Sequence, residues 1–218
     1  MAFNVQEFRA SLLYDGARPS LFDVSMTVPG LVAFEGVNRQ ITFRAKATEL
    51  PADSISPISL NYFGREIKVA GVHSFNDWSI TVINDEDFTI RNTFERWMSA
   101  INSHVGNVRA PQFLQGDGGY QTDAYVTQYS KTGGGLGAAA TAGTAGLGGG
   151  TGIIKDYGMI GCFPTEIAAI PLDWGSNAEI EEFTVTFSYQ WWETYAPNPT
   201  TDTGSGNIAQ PGLGFATS

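Results

Sequence analysis

Hydrophobic and polar residues alternate along much of this chain, and the alternation predicts strands. SLFDVSM (20–26) and RQITFRAKA (39–47) carry the period-two pattern of half-buried strands, with Pro29–Gly30 and Glu35–Gly36 as turns between them. EIKVAGV (66–72) and WSITVIN (78–84) follow as two strands joined through a turn. In the second, Trp78, Ile80 and Val82 share one face, while Ser79 and Thr81 share the other. The period then changes. Ile90, Phe94, Trp97, Met98 and Ile101 fall at i, i+4, i+7, i+8 and i+11, which is one stripe of an amphipathic helix. Asn84 or Asp85 is the expected N-cap, and Asp85, Glu86 and Asp87 lie where the positive end of the helix dipole favours anions. Further on, YVTQYSK (125–131) and GIIKDYGMIGCF (152–163) predict a hairpin with a very long tip. Strands at IPLDW (170–174) and EEFTVTFSYQWWE (181–193) complete the pattern. Phe183, Val185, Phe187, Tyr189 and Trp191 give the last strand an aromatic face that needs a core or a neighbouring subunit.

Two segments do not belong to a core. Residues 133–152 hold ten glycines in twenty positions and no charge, too little apolar surface to offset the entropy of ordering. Residues 196–218 are rich in Gly, Pro, Thr and Ser and read as an extended tail. A chain of 218 residues fits one domain with such appendages, or at most two small ones, and is read here as one domain over residues 1–195 followed by the tail. The single cysteine, Cys162, rules out an intramolecular disulfide and sits in an apolar run as a small buried hydrophobe. The first twenty residues lack the basic and apolar regions of a signal peptide, and no stretch approaches a membrane span. Synthesis in a cytoplasm is the expectation.

The formal charge of −10 is unevenly placed. Residues 1–155 hold 14 acids against all 12 bases, whereas residues 156–218 hold eight acids and no base. A block without cations is poorly suited to gripping phosphates, so it reads as a solvated face or as a surface that repels polyanions. Catalytic and cofactor motifs are missing. The glycine run has no lysine-bearing phosphate loop, and two histidines, His73 and His104, are too few for a His-based metal site. Asp173 and Glu193, each beside tryptophan, are the best carboxylate pair that can be constructed; acids beside aromatics are common at strand ends. The residues therefore suggest no enzyme, no cofactor and no metal. The competing reading is an acidic, aromatic-rich β-domain that binds or cleaves glycans.

Longer segments carry a family resemblance. ARPSLFDVSM (17–26), FRAKATELP (43–51), GREIKVAG (64–71), FNDWSITVINDEDFTIRNTFERW (75–97) and GCFPTEIAAIPLDWGSNAEIEEFTVTFSYQWWE (161–193) occur in order and at matching spacing. Together they resemble the tail tube proteins of contractile-tailed bacteriophages of the T-even type. The resemblance implies a mainly β fold, an antiparallel barrel or sandwich with one flanking α-helix, extended here by the Gly-rich hairpin loop and the tail. It further implies a virion protein, assembled in the host bacterial cytoplasm, whose hexameric rings stack into the inner tail tube. Implied partners are other copies of the chain and sheath, baseplate and tape-measure proteins, with double-stranded DNA passing through the lumen without specific binding. Pro51, Arg65, Lys68 and Asp77 lie in matching loops and strand ends and are the candidate assembly residues, while Trp78 and Phe94 serve the core. The loop at 133–152 or the tail is expected to pack on an adjacent ring or on the outer wall.

Overall fold

A computed structural model describes residues 4–12, 16–114, 119–131, 153–175 and 179–195. The glycine-rich loop and the tail therefore lie outside the described residues. The chain divides into two compact units, one of Met1–Asp23, Val126–Tyr157 and Glu193–Ser218, the other of Val24–Tyr125 and Gly158–Trp192.

In chain order the strands are β1 (Phe22–Met26), β2 (Ala45–Thr48), β3 (Asp53–Tyr62), β4 (Arg65–Phe75), β5 (Trp78–Ile83), β6 (Thr122–Tyr129), β7 (Ile153–Ile167), β8 (Glu182–Ser188) and β9 (Trp191–Tyr195). The helices are α1 (Val5–Ser11), α2 (Val37–Arg44) and α3 (Thr89–Ile101), with a short 3-10 turn at Pro111–Leu114. One seven-stranded sheet runs β1-β6-β7-β8-β5-β2 with β9 pairing β7, and a separate two-stranded sheet is made of β3 and β4. The fold is mainly β and antiparallel where its register is defined, but the large sheet is open, with β1 and β2 at its ends.

The core of the second unit follows from the two periods. Trp78, Ile80 and Val82 of β5 and Phe183, Val185 and Phe187 of β8 are buried on one face, in the register Trp78↔Phe187, Ile80↔Val185, Val82↔Phe183. Helix α3 closes that face. Phe94 meets Phe187 edge-on at 5.6 Å between centroids, and Trp97 and Trp78 approach the same ring at 6.4 and 5.4 Å. Each such side chain contributes about 1.5–3 kcal/mol by leaving water. The buried indoles also keep their polar atoms paired. Trp97 Nε1 donates to the Tyr120 carbonyl at 2.8 Å, and Trp78 Nε1 donates to Thr48 Oγ1 and the Glu49 carbonyl. Prolines within strands sit at faults in pairing, where a missing N–H costs least: the register shifts between Ile55 and Pro57 in β3 and between Pro164 and Glu166 in β7.

Several sequence expectations need correction. Most of 39–47 is helix α2, not strand. Val37 and Ile41, four apart, are both buried, whereas Phe43 stands 74% exposed beneath the Arg39 guanidinium. Gly36, at φ 75°, makes the left-handed entry to that helix. Neither Asn84 nor Asp85 caps α3. Phe88 occupies the cap in the left-handed region without a side-chain bond, while Asn84 Nδ2 donates to Glu181 and Asp85 pairs with Arg44. Residues 170–174 form no strand. The run 181–193 breaks after Tyr189, where the Gln190 N–H turns to the Ile160 carbonyl, so Trp191 leaves the buried face and starts β9.

In the first unit, Asn4 caps α1 through its side chain, which accepts from the Gln6 and Glu7 amides, and the helix buries none of its residues. Thr127 Oγ1 donates to Asp156, and burial beside Asp23 and Asp156 raises the Tyr129 hydroxyl pKa.

Candidate assembly surface

The β3–β4 hairpin is a part of the second unit that the core leaves exposed. Pairing runs Ile58↔Val69, Leu60↔Ile67 and Tyr62↔Arg65 on one face, and Pro57↔Ala70, Ser59↔Lys68 and Asn61↔Glu66 on the other. An ordinary antiparallel sheet buries one face. Here every residue of β3 is exposed, and β4 is exposed except at partly covered Gly71 and Phe75. Ile58, Leu60, Tyr62, Ile67 and Val69 therefore present an apolar stripe to solvent.

The turn is built from Phe63 and Gly64, at φ 46° and 79°, the two successive positive values that match the twist of a tight hairpin. Glycine adopts this region freely, but a phenylalanine there costs about 1–2 kcal/mol. The Phe63 ring, 92% exposed, rests edge-on against Tyr62 at 4.5 Å. Strain carried by a solvent-facing aromatic is characteristic of a contact site. At the other end the root is tied down: His73 Nε2 meets Asp53 Oδ2 at 2.8 Å, the Asn76 N–H donates to the Ala52 carbonyl, and Phe75 packs against Tyr189.

The four candidate assembly residues fall on this element or at its root. Pro51 is half-buried at the entry, Asp77 is exposed at the exit, and Arg65 and Lys68 are exposed on opposite faces of β4. Neither Arg65 nor Lys68 is in an ion pair among the described residues. Sequence reasoning missed the apolar stripe and the whole of β3. Its signal was present in the alternation of Ile58, Leu60 and Tyr62 up to a Phe–Gly turn, but Pro57 argues against a strand.

No reactive constellation accompanies this surface. Among the described residues no group of His, Cys, Asp and Glu is placed to hold a metal ion. Asp173 Oδ1 accepts the Gly175 N–H, which orders a turn. His104 lines a small cleft with Arg91, Glu95, Met98 and Ile167, where Arg91 pairs with Glu95. Burial pushes the Cys162 thiol up to about 12, with the charge of Asp123 adding to it, so the sulfur is inert. A wider open cleft of about 680 Å³ is lined by Gln121, Asp123, Tyr125, Gln190 and Trp191, and there Asp123 Oδ1 accepts the Gly161 N–H. Among the described residues no second carboxylate lines this cleft, as paired-acid glycan cleavage would require.

Residues 17–195 match the phage tail tube protein family. The chain is 33% identical to tail tube protein gp19 of Enterobacteria phage T4, over 82% of this chain and 92% of that protein. Identity to the gp19 of Enterobacteria phage T6 is 32%, with the same coverage. The fold also resembles the tube-terminating cap of the anti-feeding prophage at a TM-score of 0.55 and 13% identity, covering 85% of this chain and 94% of that one. The sheath/tube terminator of an extracellular contractile injection system gives a TM-score of 0.52 at 14% identity, covering 81% and 94%. The chain thus belongs to the phage tail tube protein family, of the T-even type, and is a structural component of the virion tail, not an enzyme.

Proposed function

We propose that this chain assembles into hexameric rings that stack into the inner tail tube, the conduit for genome ejection. The observation that carries this reading is the β3–β4 hairpin, a two-stranded sheet with both faces in solvent and an apolar stripe along one of them. A lone two-stranded hairpin is marginal in water, so this one calls for a partner surface. Pro51, Arg65, Lys68 and Asp77 belong to that contact by position. Residues 1–195 act as the tube subunit, with 196–218 as an extension.

Six copies of a chain of charge −10 carry about −60 per ring, and the C-terminal third holds no cation. A wall of this kind does not capture DNA phosphates, and screening confines its field to roughly 8 Å. DNA accordingly passes without specific binding. Sheath, baseplate and tape-measure proteins are the remaining partners, and assembly takes place in the host cytoplasm.

Negative-stain microscopy and sedimentation of the purified chain test this. Rings or tubes should form as concentration rises. Replacing residues 54–74 by a short Gly-Ser linker should leave a folded subunit that no longer stacks. A wild-type chain that stays monomeric at every concentration would overturn the reading.

A further inference from the structure

The hairpin and the segment that leads into β8 leave the sheet at opposite ends of the same strands. Strand β2 ends at Thr48, paired with Ile80, and β5 begins at Trp78, paired with Phe187, so the intervening hairpin leaves from that end of the sheet. The far end of β5 is Ile83, paired with Glu182, where the segment after β7 enters β8. The ends of β5 are about 17–20 Å apart at ~3.4 Å per residue. In the segment that leads into β8, Leu172, Trp174 and Ile180 are 81%, 100% and 71% exposed. Asp173 and Glu179 are exposed beside them, without an ion pair among the described residues. Asp173 Oδ1 accepts the Gly175 N–H.

Charge is matched as well as apolar surface. The hairpin offers Arg65 on the face of Ile58, Leu60 and Ile67 and Lys68 on the opposite face, neither in an ion pair among the described residues, and its acid Glu66 is engaged by Ser59 Oγ. The segment entering β8 offers acids and no base, since no Lys or Arg occurs after residue 155. Each surface supplies what the other lacks.

We propose that the β3–β4 hairpin of one copy seats on the Leu172–Asp173–Trp174 and Glu179–Ile180 surface of the next copy along the tube. This rests on the tube reading above. The contact joins opposite ends of the subunit, so it is heterologous and repeats without closing, as growth along an axis requires.

Charge reversal tests it. In low salt, Arg65→Glu with Lys68→Glu, and separately Asp173→Lys with Glu179→Lys, should each raise the protein concentration needed for tubes by about 10-fold or more. The quadruple variant restores opposite charges and should return that concentration to within about threefold of wild type. Trp174→Ser should block stacking at any salt concentration. All of these side chains are exposed, and circular dichroism and melting curves confirm that each variant is folded. Tubes unaffected by either pair of reversals, or no recovery in the quadruple variant, would overturn the docking and leave the tube reading standing. If wild type forms no tubes, it is the tube reading that fails.

Discussion

Gly71→Ala isolates the hairpin from the core. Gly71 lies at the register shift, where Ile55 pairs with His73 but Pro57 pairs with Ala70. A Cβ on Gly71 would stand 2.5 Å from the Ser56 carbonyl oxygen and 2.7 Å from Ile58 Cγ1. Real Cβ atoms essentially never come within 3.0 Å, so the strands must part by at least about 0.5 Å, against backbone that cannot swing aside. Overpacking of this kind costs about 1–3 kcal/mol. For a two-stranded hairpin near balance, that shifts the ratio of formed to open by about 5-fold to more than 100-fold. No residue of β3 or β4 is fully buried, so the core should not register the change and Tm should move by no more than about 2 °C. Hydrogen exchange read peptide by peptide should show protection lost across 53–75 and kept in β5, β8 and α3. The concentration needed for tubes should rise by a similar factor. Gly64→Ala, at φ 79° with open space around it, provides a milder comparison of about 1–2 kcal/mol. Unchanged exchange across 53–75 would refute the steric argument, and a Tm loss of several degrees would show that hairpin and core unfold together.

Two predictions concern the core. Trp97→Phe removes the bond to the Tyr120 carbonyl and part of a fully buried ring, and should cost about 2–4 kcal/mol by urea denaturation without altering hairpin exchange. Alkaline pH should act through Cys162 and Tyr189, whose pKa values burial raises to about 12 from their ordinary values of 9.0 and 10.0. Across that interval the folded chain holds protons that the unfolded chain has released, so stability should be level at neutral pH and fall as pH climbs from about 9 to 12. A thiol reagent at pH 8 should then label Cys162 only in denaturant; rapid labelling of the native chain would contradict its burial.

How far the fold could be read from the sequence depended on whether one period stood alone. Strand β5 and helix α3 were legible because Trp78, Ile80 and Val82 obey one period, and Ile90, Phe94 and Trp97 the other. Helix α2 was misread because Ile41 and Phe43 alternate with polar residues, while the decisive partner of Ile41 is Val37, outside the alternating run. The cap of α3 was misplaced because Asn84 and Asp85 already have partners in Glu181 and Arg44, which no local rule anticipates. At the candidate surface the charges Arg65 and Lys68 could be picked out because charges belong outside. The apolar stripe could not. Ile58, Leu60, Ile67 and Val69 alternate as core residues do, and only the folded subunit shows that they are exposed.

Keeping the hairpin as a sheet of its own separates two demands that conflict in one sheet. The subunit has to be stable alone, yet polymerise only in the right place. Its stability resides where Phe187 gathers Trp78, Phe94 and Trp97, and the hairpin adds almost nothing to that cluster. The hairpin can then be marginal, with a strained Phe63 at its tip and an apolar stripe in water, without placing the core at risk. Under the proposed docking, assembly stabilises it by mass action, so its folding and its docking are one equilibrium. The free energy of each contact is what remains after the hairpin has been ordered, which makes single contacts weak and their sum around a ring strong. On that proposal a dilute subunit stays dispersed, whereas a ring already in place presents all its receiving surfaces together and captures the next copies.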